Sequence, residues 1–133
     1  MKKLLLACLL LAGCTSGESF RNILPENFQL MTGDVVFRRG GGFTSRVVLA
    51  ADAKGEYSHV GIVVDSAGTK MIVHAVPGEP DYDGDEDRVK MELPERFFST
   101  QFTMIGEVCR PCDSVIARKA AEVALRQYKK HVL

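Results

Sequence analysis

The fold turns on one stretch: Tyr57-Ser58-His59-Val60-Gly61-Ile62-Val63-Val64, then Asp65-Ser66-Ala67-Gly68, then Thr69-Lys70-Met71-Ile72-Val73-His74-Ala75. Two runs rich in β-branched residues flank four turn formers, the pattern of a β-hairpin. A four-residue loop sets Val64 opposite Thr69, and the same register sets His59 opposite His74. Opposed residues share one sheet face with Cβ atoms about 5 Å apart, close enough for one imidazole to orient the other by hydrogen bonding. That is the arrangement a thiol nucleophile needs. One ring takes the proton and returns it to the leaving group, while a further polar group fixes its tautomer. Gly61 shares the face of His59 and presents no side chain, which predicts room for a substrate or an incoming helix. Two half-buried histidines in a surface hairpin would leave the same pattern, so the hairpin alone does not decide between chemistry and packing.

The remaining elements are read outward from the hairpin. Upstream, Gly33-Asp34 makes a turn feeding the strand Val35-Val36-Phe37, and Gly40-Gly41-Gly42 breaks regular structure. Thr44 or Ser45 can cap a short helix over residues 46–51, with Lys54-Gly55 ending it. Downstream, an acidic stretch to Asp87 reads as a loop, followed by strands at residues 89–93 and 102–108. Asp113 or Ser114 can cap a final helix carrying Ile116, Ala120, Val123 and Ala124 on one face. No internal repeat is visible.

The 133 residues fit one domain. Met1-Lys2-Lys3 supplies a positive n-region, residues 4–11 an apolar core, and Leu11-Ala12-Gly13-Cys14 reads as a lipobox. The expected organisation is a lipoprotein signal at residues 1–13, a lipidated Cys14 with a polar tether at 14–27, and a domain from 28 to 133. The apolar core is too short to span a bilayer, so the expected membrane attachment is the lipid on Cys14, with the protein in the bacterial cell envelope facing the periplasm or exterior. The 17 basic and 17 acidic residues balance, and removal of Lys2 and Lys3 leaves 15 basic residues. A nearly neutral chain offers no basic surface for nucleic acid, and no such partner is expected.

The segments Gly33-Asp34-Val35-Val36-Phe37-Arg38, Tyr57-Ser58-His59-Val60-Gly61-Ile62-Val63 and Val73-His74-Ala75, in this order, resemble the YaeF/YiiX branch of the permuted papain-like amidases, relatives of the NlpC hydrolases. The resemblance runs from about Met31 to the C-terminus. It implies an α+β, circularly permuted papain-like fold, with a largely antiparallel sheet and flanking helices. It also implies thiol-dependent hydrolysis of an amide or related acyl bond, with a peptide or acyl small molecule as substrate, cell-wall peptide among the options. His59 matches the family's base and His74 the residue that orients it; Asp34 matches an acidic position that is structural or pocket-lining. Arg38 and Tyr57 are further pocket-lining candidates. No cofactor or metal is implied. The family's nucleophilic cysteine follows a helix that here ends near Tyr128, so the C-terminal part is expected to be missing and the chain alone inactive.

Cys109-Arg110-Pro111-Cys112 supports rival readings. A plain disulfide or two unpaired thiols is the first reading; placed before a helix N-terminus, Cys112 could also serve as a substitute nucleophile or the pair as a redox couple. With His59 and His74 it could form a Cys2His2 zinc site. A non-catalytic ligand-binding lipoprotein is the remaining alternative. The acidic run at residues 81–87 lacks the glycine spacing of a calcium loop and reads as solvated.

Overall fold

A computed structural model describes residues 21–75 and 88–130. The leader with Cys14 and the acidic run therefore lie outside the described residues. Among the described residues five strands form one antiparallel sheet: β1 (Val35–Arg39), β2 (His59–Ser66), β3 (Thr69–Ala75), β4 (Val89–Glu92) and β5 (Ile105–Cys109), in the order β4-β3-β2-β1-β5. The helices described beside it are α1 (Phe43–Ala51), α2 (Pro94–Phe97) and α3 (Ser114–Lys130). The α+β class and the largely antiparallel sheet with flanking helices are thus as expected. Among the described residues no helix is long and apolar enough to cross a membrane.

The hairpin forms, with a shorter turn than expected. Ser66 pairs with Thr69, so only Ala67 and Gly68 make the bend. Both have positive φ, 52° and 86°, the combination that matches the twist of a two-residue hairpin. Asp65 supports it, its Oδ1 accepting the Gly68 N–H at 2.8 Å. Each strand is therefore longer, and the register moves by two residues: Gly61, not His59, lies opposite His74. A shift of two leaves every side chain on its original face, so His59 and His74 remain on one face as diagonal neighbours.

Alternation divides the core into two layers. Val36, Val63 and Ile72 point to one side and pack with Phe97, Phe98, Leu24, Leu30 and Val108. Val64 and Val73 point to the other and pack with Ala121, Ile62, Met71, Met91, Leu125 and Tyr128 of the α3 layer. The first layer was only partly expected. Leu93-Pro94 starts α2, with Pro94 at a position where a missing N–H costs nothing, and this one-turn helix delivers Phe97 and Phe98 at 0% and 1% exposure. Residues 21–27, read as tether, belong to the same layer: Ile23 N donates to Phe98 O at 3.0 Å and Asn22 bridges to Ser99.

α3 is capped as expected, Asp113 Oδ1 accepting the N–H groups of Val115 and Ile116 at 2.9 and 3.0 Å. Its buried face is different. Ala117 and Ala121, with Ala124, Leu125 and Tyr128, meet the sheet, while Ile116 and Val123 are 64% and 44% exposed and Ala120 is exposed. The reason is close approach: a Cβ built on Gly33, which holds φ +91°, would lie 2.6 Å from the Ala117 backbone. Only small side chains fit there. α1 starts at Phe43 behind Gly42 without a side-chain cap, and it buries none of its residues. Ser45 serves instead as a tie, accepting from Ser58 Oγ at 2.9 Å.

Candidate active site

His59 begins β2 and His74 lies near the end of β3, so the pair sits at one end of the sheet. His59 Nε2 and His74 Nδ1 are 2.9 Å apart, and the rings meet edge to face with centroids 5.0 Å apart. Phe97 forms their floor, its ring 5.7 Å from His59 and 5.4 Å from His74. Thus α2 both fills the core and holds the two imidazoles. Ser58 fixes the start of the strand: its N–H donates to Arg38 O at 3.1 Å, and its Oγ accepts from Gly40 N at 3.3 Å. His59 Nδ1 has no hydrogen-bond partner among the described residues.

Arg38 lies across from His59 in the β1–β2 ladder and is 4% exposed. Its Nη1 donates to Phe97 O at 2.9 Å and lies 3.9 Å from Glu92 Oε1, with the guanidinium 4.6 Å over the Phe97 ring. Burial, then the Arg38 charge, then His74 push the His59 imidazole down to about 3, so it is neutral near pH 7. Arg38 therefore adjoins the site, with its head group turned toward the protein interior.

Glu92 was absent from the sequence reading. It sits on β4 opposite Ile72, diagonal to His74, and places Oε1 3.0 Å from His74 Nε2. The distance is that of an ion pair, while the N–H direction is bent away from a linear hydrogen bond; no other group among the described residues satisfies this buried nitrogen. Arg96, one helical turn on, holds the other oxygen at 3.1 Å. A signal existed: Lys90 and Glu92 alternate with Val89 and Met91, which puts two charged residues on the histidine face of a short strand.

Other candidates lie elsewhere. Asp34 is 1% exposed and occupied by Arg110, whose Nε and Nη2 donate to its two oxygens at 2.9 Å each; the Met31 N–H adds a third bond at 2.8 Å. Burial raises its carboxyl, but these donors outweigh burial and hold it below the usual range. Four residues along β1 from Arg38, it is about 13 Å from the histidine row. Asp34 is structural here, not pocket-lining. Tyr57 packs on Phe37, ring centroids 5.6 Å apart, and a hydrogen bond with Glu107 raises its hydroxyl above the usual value. Phe37 and Glu107 pair on the face opposite the histidines, so Tyr57 does not line their cleft. Gly61 leaves no vacancy: a Cβ there would lie 2.6 Å from Ile72 Cγ2 and 3.2 Å from Val36 Cγ2. Its bareness serves the core.

Cys109 and Cys112 are free and exposed. Cys109 pairs with Val35, whereas His59 pairs with Arg38, so the thiol and the imidazole point to opposite faces. Cys109 is also about 10 Å away along the strands and about 10 Å across them. The Cys2His2 zinc reading, which needs Cys109 beside the two histidines, does not survive this placement. Among the described residues no group of three or more His, Cys, Asp or Glu side chains could hold a metal ion.

No family model, curated protein or solved structure matches this chain.

Proposed function

We propose that this domain is the base-bearing part of a thiol-dependent hydrolase of amide or related acyl bonds, with the permuted papain-like arrangement that its motifs resemble. The observation that carries the reading is the His59–His74 contact at 2.9 Å, with His59 Nδ1 left without a hydrogen-bond partner among the described residues. His59 is the base and His74 its orienter. A thiol reaching Nδ1 gives its proton to that nitrogen, its sulfur attacks the acyl carbon, and the proton then goes to the leaving group. In the described residues His59 is a weak base because it is buried next to Arg38. A thiolate beside it supplies the missing anionic neighbour and favours the imidazolium. Cys109 faces away, and the family that the motifs resemble carries its nucleophile after a helix placed like α3, so in this reading the nucleophile lies outside the described residues. Cell-wall peptide is the proposed substrate and the cell envelope the proposed location, both resting on the lipobox-like leader.

Exogenous thiol tests the base. The chain is mixed with cysteamine and an activated acyl ester, and thioester formation is followed. The expected result is a protein-dependent acceleration that His59→Ala abolishes and His131→Ala, at the third histidine of the chain, leaves intact. Equal rates for the parent chain and His59→Ala would sink the reading.

A further inference from the structure

We propose that Glu92 is a positioning residue of the same site, whose carboxylate keeps a proton on His74 Nε2 and thereby leaves the lone pair of His59 on Nδ1. The consequence for catalysis rests on His59 being a base, but the proton arrangement does not.

The argument follows the protons from the carboxylate outward. His74 is 6% exposed, its Nε2 has no solvent contact, and Glu92 Oε1 lies 3.0 Å away. A lone pair on that nitrogen would face a carboxylate oxygen; a proton there faces it favourably, even in a bent geometry. Arg38 and Arg96 already balance the Glu92 charge, at 3.9 and 3.1 Å, which leaves His74 to serve it as a neutral donor. A neutral imidazole carries one proton, so His74 Nδ1 holds a lone pair. Two lone pairs do not share a 2.9 Å contact, so His59 Nε2 carries the proton and donates it to His74 Nδ1. His59 is neutral, so its remaining nitrogen, Nδ1, is the acceptor. That is the nitrogen with no partner among the described residues. Reversing any one member of the series would put a proton on His59 Nδ1 and block it as a base.

The sheet explains why the carboxylate can act at this range. Glu92 is diagonal to His74, and His74 is diagonal to His59, so three side chains from three adjacent strands run in one oblique line, the two rings lying over Phe97. Arg96, four residues on, anchors the line at its far end.

Long-range nitrogen–proton correlation spectra of the histidine-labelled chain near neutral pH test the arrangement directly. The expected pattern is a protonated Nε2 and an unprotonated Nδ1 on both rings. Glu92→Gln, whose amide can donate or accept, should give mixed tautomers on both, and Glu92→Leu should do the same. In the thiol assay Glu92→Gln should lower the His59-dependent rate by roughly tenfold or more. A protonated Nδ1 on His59, a doubly protonated His74, or tautomers unchanged in both variants would overturn the proposal. The parent spectrum decides the first two points even if a variant fails to fold. The expected tautomers without His59-dependent thiolysis would remove the hydrolase reading and leave Glu92's role standing. His59-dependent thiolysis with the opposite tautomers would do the reverse.

Discussion

Phe97→Ala perturbs the core and the histidine pair together. Phe97 is 0% exposed, its ring centroid lies 4.9 Å from Phe98 and within 6 Å of both histidines, and the Arg38 guanidinium sits 4.6 Å above it. Burying a phenylalanine removes roughly 150–200 Å² from water, worth about 4 kcal/mol at ~25 cal/mol per Å². Truncation leaves a cavity as well, and the usual cost of such a change is about 3–5 kcal/mol. A domain of this size holds about 5–15 kcal/mol in total, so the substitution removes a large part of it. Phe43→Ala is the matched control: the same residue type, 76% exposed on α1, where a change of within about 0.5 kcal/mol is expected. Urea unfolding followed by circular dichroism reads both. With a slope of about 1.5 kcal/mol per molar, Phe97→Ala should lower the midpoint by about 2–3 M and Phe43→Ala by under about 0.4 M. Similar shifts for the two variants would refute the placement of α2 against the sheet and, with it, the support proposed for His59.

Two further outcomes follow from the electrostatics. The His59 imidazole is pushed from 6.5 to about 3 on folding, so its contribution is fully present above about pH 6.5 and is lost as the pH falls toward 3; the slope is at most ~1.4 kcal/mol per pH unit, and unfolding of His59→Gln across that window should be flatter. Removing Arg110 leaves the 1%-exposed Asp34 carboxylate with only the Met31 N–H, so Arg110→Met should lower the unfolding midpoint near neutral pH in thermal or urea unfolding. Asp34's carboxyl is held low, so its contribution is present above pH 3.8 and lost as the pH falls through its lowered folded value. The Arg110 effect should therefore shrink in acid, and a pH-independent difference between Arg110→Met and the parent chain would contradict the ion pair.

The hairpin was legible because its signals are local. β-branched runs flanking turn formers define two strands whatever their exact register, and period-two alternation puts His59 and His74 on one face under any even shift. Local chemistry also gave the Asp113 cap and the Asp34 turn. The turn is two residues shorter than its local pattern suggests, because Asp65-Ser66 can either end a strand or open a loop. Only the strand pairing, with Ala67 and Gly68 both at positive φ, decides between them.

What the sequence by itself determined is therefore the α+β class, the strand faces and the histidine pair, since these follow from side-chain periodicity and turn chemistry. Tertiary structure alone decided the rest. Which stripe of α3 is buried depends on how near Gly33 lets the helix approach, and closeness selects Ala117 and Ala121 over the larger Ile116 and Val123. Whether Asp34 lines a pocket depends on Arg110, 76 residues away in the chain, reaching it first. The placement of Glu92 beside His74 depends on β4 joining the sheet next to β3, and the floor beneath both rings depends on a one-turn helix at Pro94. These are contacts between segments distant in sequence, set by packing and charge pairing in three dimensions, and no local pattern encodes them.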